Sequence, residues 1–384
     1  MKKGYMALAM VLIISVAELS AFYLFRMMET DQGNQGSTSK DSYFGVTYGG
    51  NTINEAKLLV DRVKKYTNLF VIDSTPISRN RTALTELSDY IVNSGLHLMV
   101  YFDHIDPRGA WILEWLKNAK EDWGDKLVGI YLFDEPGGKQ LEYGNWAGDW
   151  ATPLNAATYS EAATWYVANV SASMWGLDTL KRFEIPVFTA DYGLYWFDYL
   201  AGYDCVFAEF GWNHSRPLHV GMVRGAAKIQ QKQWGVIITW EYNGPPYIEN
   251  GLRLLEDMMY AHDAGAEYIL VFNYPQNASQ YGILRDEHFN VMEEFWSHMQ
   301  SESRTTPNSV EVDTALVLPS DYGWAMMSPN DRIWGVFPCD ATAKQVWEAI
   351  ILTLVNQKLN IDIVYDDPGF NLREEYSHIY FCVD

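Results

Sequence analysis

Cysteine is scarce. Cys205, Cys339 and Cys382 are the three thiols in 384 residues. At those spacings they build no disulfide framework, and without a C-x-x-C pair there is no zinc signature. Cys205 opens an apolar run and reads as a buried, inert thiol. Cys339 and Cys382 end two short β-like runs and could be bridged only if those runs were neighbours. Positive charge is short as well. Lys and Arg total 28 against 49 Asp and Glu, a net charge of −21. Such a surface repels phosphate backbones, which argues against nucleic acid as a partner. There are eight histidines, and only His104 and His214 fall close to strand ends, so no metal triad emerges. H-E-x-x-H, G-x-S-x-G and the P-loop are missing. After the first β-like run stands Thr47-Tyr48-Gly49-Gly50, which is not G-x-G-x-x-G. No cofactor is therefore indicated.

What is present begins with a hydrophobic N-terminus. Lys2 and Lys3 precede an apolar run from Gly4 to Phe25, interrupted by Glu18. About 20 apolar residues span a bilayer as a helix, and positive charge stays inside. Residues 1–29 are thus expected to be a single-pass membrane anchor, with the rest of the chain outside the cell. Arg26 and Glu18 weaken that pattern. A cleaved signal segment is the alternative, although Leu19-Ser20-Ala21 is a poor cleavage site. The polar stretch 30–42 reads as a flexible tether. Sequons at Asn80, Asn169, Asn213 and Asn277 agree with export and a glycoprotein.

Beyond the tether, eight short apolar runs recur: Tyr43–Tyr48, Leu69–Asp73, His97–Asp103, Val128–Glu135, Pro186–Tyr192, Cys205–Trp212, Gly235–Tyr242 and Tyr268–Pro275. Near-continuous apolar runs suit strands buried on both faces. Between them lie helical patterns. Ile53–Tyr66 sets Ala56, Leu59, Val60 and Val63 on one stripe, with Thr52 and Glu55 as a capping box. Thr158 and Glu161 repeat that signature before a long helix expected over Ala162–Arg182. Eight βα units in a row predict a (β/α)8 TIM barrel over residues 43–300. The stretch Pro136 to Ala157, with Trp146 and Trp150, reads as a long loop at its C-terminal face. A linker, 301–309, leads to a small α/β domain, 310–384. That domain is expected to hold strands at Ala315–Pro319, Ile333–Pro338, Asp362–Asp366 and His378–Asp384. Its helix, Ala343–Lys358, is expected to be capped by Thr342 and Gln345.

Catalytic groups in such barrels sit at the C-terminal strand ends. The carboxylates there are Asp73, Asp103, Asp134, Glu135, Asp191, Glu209 and Glu241. Glu135 ends the fourth run and Glu241 the seventh, on opposite sides of a barrel mouth. Hydrolysis of a glycosidic bond needs two carboxyls flanking the anomeric carbon. Leu132-Phe133-Asp134-Glu135-Pro136 resembles the Asn-Glu-Pro motif of the large superfamily of retaining TIM-barrel glycoside hydrolases. Ile238-Thr239-Trp240-Glu241 resembles its nucleophile strand. The barrel followed by a small α/β domain resembles family-42-like β-galactosidases in architecture.

The resemblance implies that Glu135 is the acid/base and Glu241 the nucleophile, acting on a carbohydrate. Asp134 stands where the superfamily has Asn. It can accept the sugar 2-hydroxyl, and two charges side by side at Asp134 and Glu135 raise one of their two pKa values. Glu209 is expected to support the pair or to serve as an alternative nucleophile. Tyr192, Asn243 and Tyr274 are candidate donors to Glu241. Asp103 completes the polar rim. Tyr48, Tyr192, Trp212, Trp240 and Tyr274 offer faces for stacking on sugar rings, although packing explains any single one. Two readings compete with a glycosidase. One is a non-catalytic carbohydrate-binding or envelope protein on a degenerate barrel. The other is a non-glycosidic hydrolase or lyase using Glu135 and Asp134.

Overall fold

The computed structural model describes residues 42–105, 110–142, 156–172, 176–275, 279–302, 311–324, 327–357 and 360–383. The N-terminal apolar run, Trp146, Trp150 and Asn277 lie outside them. Among the described residues no helix is long and apolar enough to cross a membrane.

The eight apolar runs pair edge to edge as a closed parallel barrel. Its strands are β1 (Tyr43–Tyr48), β2 (Leu69–Ile72), β3 (His97–Phe102), β4 (Leu127–Leu132), β5 (Val187–Asp191), β6 (Cys205–Phe210), β7 (Gln233–Ile238) and β8 (Tyr268–Val271). β1 closes on β8, Tyr43 opposite Tyr268, with their rings stacked at 4.9 Å. Side chains alternate between the two faces of each strand. Leu69, Val71, Met99, Tyr131, Phe188, Phe207, Ile237 and Leu270 fill the lumen, while Phe70, Val100, Val206 and Val236 pack outward under the helices. This filled lumen leaves the strand ends as the place for polar groups.

The helices of the barrel are α1 (Ile53–Val63), α2 (Thr75–Ser78), α3 (Arg81–Asn93), α4 (Ala110–Trp123), α5 (Pro136–Leu141), α6 (Tyr159–Ser171), α7 (Leu177–Lys181), α8 (Tyr195–Ala201), α9 (Arg216–Ile229), α10 (Gly251–Asp263) and α11 (Asp286–Glu302). Thr52 caps α1 by accepting the Glu55 N–H. Glu55 does not return the favour; its carboxylate takes the Tyr48 hydroxyl at 3.0 Å. The long helix expected over Ala162–Arg182 is two helices. Gly176 between them has φ +98°, which no α-helix can hold. The stretch after β4 opens with α5 rather than with loop.

The C-terminal unit has a parallel three-stranded sheet in the order β10-β9-β11. Its strands are β9 (Thr314–Leu318), β10 (Asp362–Tyr365) and β11 (His378–Phe381), and its helix is α12 (Ala341–Gln357). The strand expected at Ile333–Pro338 is instead a tight turn in which Ile333 and Phe337 bridge each other. Trp334 and Gly335 take φ +55° and +70°. The indole explains this: it is fully buried and donates to the Asp321 carbonyl at 2.8 Å. An extended strand could not provide both. Asp340, not Thr342, caps α12, accepting the Ala343 N–H at 3.0 Å. Cys205, Cys339 and Cys382 are all free thiols.

This unit packs on the barrel through α9. Arg224 donates to Asp362 at 2.7 Å, and Tyr376 donates to the other oxygen of Asp362 at 2.9 Å. Lys228 reaches the carbonyls of Val312 and Glu375 at 2.7 and 2.9 Å.

Candidate functional site

The end of β4 carries unusual backbone. Phe133 and Glu135 have φ +52° and +51°, a left-handed conformation that costs a non-glycine residue about 1–3 kcal/mol. Neighbouring strands hold it in place. The Phe133 N–H donates to the Phe102 carbonyl and the Glu135 N–H to the Ala190 carbonyl, both at 3.0 Å. Thr189 donates its hydroxyl to the Phe133 carbonyl at 2.7 Å. This kink ends the strand and starts α5 at Pro136.

Around Glu135 stands a cluster of carboxyls. The Glu209 carboxyl is its neighbour, close enough for the charge of Glu135 to raise it. Burial, then the charge of Asp134, pushes Glu135 up to about 8; Lys139 pulls the other way. The Lys139 ammonium lies 3.9 Å from the Glu135 carboxylate and donates to the Asp134 carbonyl. Asp134 accepts the Tyr131 hydroxyl. Glu209, next to last in β6, is buried and is driven well above the usual carboxylate range by burial and then by Glu135 and Asp134. Burial also drives up Asp73, with Asp134 adding to it.

Asp191, at the end of β5, accepts four backbone N–H groups. They come from Gly137 at 2.5 Å, Gly138 at 2.8 Å, Tyr192 at 2.7 Å and Gly193 at 3.1 Å. Burial nevertheless raises it to about 7. Behind it, Asp198 is held well above its ordinary range by burial and by Asp191, and accepts the Tyr166 hydroxyl at 2.5 Å.

Glu241 lies three residues past the end of β7, in a turn closed by the Glu241 and Tyr242 N–H groups on the Tyr247 carbonyl. Its carboxylate accepts the Asn213 N–H at 3.3 Å and lies 3.9 Å from the Arg216 guanidinium. Arg216 binds Asp257 at 2.8 Å and lies 3.5 Å from Glu249. Three carboxylates therefore surround one guanidinium. Burial, then the neighbouring Asp257, raises Glu249 to about 8 against the pull of Arg216.

The structure thus gathers Glu135, Asp134, Glu209 and Tyr192 into one cluster. The partners of Glu241 are a different set, and among the described residues none of its hydrogen bonds comes from Tyr192, Asn243 or Tyr274. Asp103 is bound by Arg79 at 2.6 Å and by His104 at 3.0 Å. Trp212 and Tyr274 are exposed by 40% each, enough to offer a face to a ligand. Trp240 is partly buried and meets Tyr247, Phe272 and Tyr274 edge-on at 5.1–5.8 Å. Tyr192 tilts over the His214 ring at 5.7 Å. Tyr48 is buried, its hydroxyl spent on the Thr52 carbonyl and Glu55; it secures the start of α1. Among the described residues no group of three His, Cys, Asp or Glu side chains is placed to hold a metal ion.

Sequence reasoning missed Lys139 and Arg216. Each had a signal. Lys139 stands at i+4 from Glu135, the spacing of a helical ion pair. Arg216 opens a helix, where the dipole disfavours a cation, so carboxylates had to be close.

The barrel has relatives in structure. It is similar to the β-galactosidase from the psychrophilic Marinomonas ef1, with a TM-score of 0.57 and 10% identity over 88% of this chain and 72% of that one. It is also similar to α-L-fucosidase isoenzyme 2 from Paenibacillus thiaminolyticus, with a TM-score of 0.50 and 12% identity over 88% of this chain and 59% of that one. No protein-family model matches the chain, and no curated protein matches it in sequence. At this identity the likeness is one of fold: the chain forms a TIM barrel of the kind on which these glycoside hydrolases are built.

Proposed function

We propose that the protein is a retaining glycoside hydrolase, with Glu135 as general acid/base and Glu241 as nucleophile. One observation carries this reading. Glu135 stands at the mouth of a TIM barrel with its carboxyl raised to about 8, so it holds a proton to donate at neutral pH. In the first step the Glu241 carboxylate attacks the anomeric carbon. The bond to the leaving oxygen breaks, and that oxygen takes the Glu135 proton. In the second step water, deprotonated by Glu135, displaces Glu241. Glu209, buried and raised by the charge of the neighbouring Glu135, serves as the partner of the acid. Asp134, Trp212, Trp240 and Tyr274 supply binding contacts at the rim. The C-terminal unit performs no chemistry.

The test is hydrolysis of aryl glycosides with leaving groups of different pKa. β-D-Galactosides are the first probes, after the β-galactosidase of like fold. Glu241→Gln should remove nearly all turnover and spare binding. Glu135→Gln should lose most with poor leaving groups, which need the proton. Normal rates in both variants would end this reading and favour a carbohydrate-binding protein.

We further propose that the barrel is held outside the cell on residues 1–29 and acts there on polysaccharide or glycan chains. Support comes from the Lys2-Lys3 start and the apolar run to Phe25. Intact-mass measurement of membrane-fraction protein tests it; a mature chain beginning after Ala21 would exclude the anchor.

A further inference from the structure

The helix that follows the acid is too short to fix its own position. α5 has six residues, and an isolated helix of that length does not hold. Its place is set by what lies on either side. On one side is the β5–α8 turn. The Gly137 and Gly138 N–H groups bind Asp191 there, and a Cβ on Gly138 would stand 2.2 Å from the Tyr192 ring. On the other side is the C-terminal unit. The buried Gln140 side chain donates to the Trp334 carbonyl at 3.1 Å. Gly335 lies so close that a Cβ there would meet the Gln140 carbonyl oxygen at 2.3 Å and that of Leu141 at 2.8 Å. The turn that brings it there is itself immobilised. The Trp334 ring is fully buried, 4.7 Å from Phe197 and 5.7 Å from Tyr166, and its N–H is held by Asp321.

We propose that the Ile333–Phe337 turn of the C-terminal unit positions the general acid, by pressing α5 against the β5–α8 turn and so fixing Glu135 beside Glu209. This rests on the reading of Glu135 as the acid. The path is short. Gly335 touches the last turn of α5. The first turn begins at Glu135, whose carbonyl accepts the Lys139 N–H at 2.9 Å. A shift of α5 carries the Glu135 carboxyl and the Lys139 ammonium with it. Trp334 and Gly335 are positioning residues; neither touches Glu135. The turn brings the Trp334 carbonyl and the bare Cα of Gly335 onto the end of α5.

The test uses the full chain carrying Gly335→Ala, which puts a methyl group where α5 stands. Phenyl and 2,4-dinitrophenyl β-D-galactosides are the probes. Displacing a catalytic group by about 1 Å costs about 100-fold in rate. Gly335→Ala should show that loss on the phenyl glycoside and almost none on the dinitrophenyl glycoside, whose leaving group needs no proton. Glu135→Gln run in parallel separates the two claims. If it lacks this leaving-group pattern, the acid assignment fails. If it shows the pattern and Gly335→Ala cleaves both probes at the wild-type rate, or loses both equally, the positioning role fails. Gln140→Leu, which removes the bond to Trp334 and adds no bulk, gives the same reading should Gly335→Ala not fold. A third measurement needs no substrate. In protein labelled with 13C at the glutamate carboxyl, Glu135 should titrate near 8 in wild type. Its midpoint should shift in both variants, as the carboxyl leaves its place beside Glu209; an unmoved midpoint overturns the proposal.

Discussion

Glu135, Asp191 and Glu249 share a physical condition. Asp191 and Glu249 are buried and Glu135 is partly buried, each beside another carboxylate, and each is raised, Glu135 to about 8, Asp191 to about 7 and Glu249 to about 8. A carboxyl raised in the folded state binds its proton more tightly there than in the unfolded chain. Its contribution to stability is whole below the unfolded pKa and is lost as pH rises through the folded value. The protein should therefore be more stable at pH 5 than at pH 8.5, against the usual behaviour of ion-paired carboxylates. Urea unfolding at those two pH values checks this. Glu249→Gln should narrow the difference, because the amide needs no proton; an equal or higher midpoint at pH 8.5 in wild type would contradict it. Activity that depends on protonated Glu135 should fall over the same range. The sequence showed which carboxyls stand at strand ends. It could not show that Glu209 reaches Glu135 or that Arg216 gathers Glu241, Glu249 and Asp257. Those contacts join residues far apart in the chain and depend on where side chains turn after the strands end.

At the scale of elements, the strands were legible because burial on both faces forces a run of apolar residues that little else in a soluble chain requires. Glu135 and Glu209 were placed at strand ends for the same reason. The misses fall where one side chain decides the backbone. Ile333–Pro338 has the composition of a strand, yet burying the Trp334 indole with its N–H satisfied takes priority, and the chain turns. Helical periodicity ran on through Ala162–Arg182 because Ala, Trp, Leu and Lys all suit a helix; Gly176 breaks it at φ +98°. The cap of α12 was misplaced by two residues. Thr342 and Asp340 are both good caps in isolation, and Asp340 wins because it also takes the Tyr159 and Tyr322 hydroxyls, each at 2.8 Å. α5 was read as loop because two glycines disfavour a helix on propensity alone. They are there because the β5–α8 turn leaves no room for side chains.

At the scale of the barrel with its C-terminal unit, the question is whether the two fold as one. α9 answers it. Nearly the whole of this helix is buried, including Arg216, His219 and Arg224, because the barrel covers one side and β10 the other. A surface helix keeps a polar stripe toward water; α9 has none to spare. Its Arg224 is held by Asp362, which is fully buried and also takes the Tyr376 hydroxyl. Breaking a buried pair by removing one partner costs about 3–5 kcal/mol, since the remaining charge is stranded. If barrel and C-terminal unit form one cooperative body, that loss must register in the whole of it. Calorimetry of the wild-type chain should show one unfolding transition for the two. Asp362→Ala should move that single transition down by several degrees rather than split off a small early one. Two transitions in wild type, or an early transition in Asp362→Ala with the barrel's own melting unchanged, would mean that the units fold independently. In that case the turn at Trp334 would be free to lift from α5 without cost to the barrel.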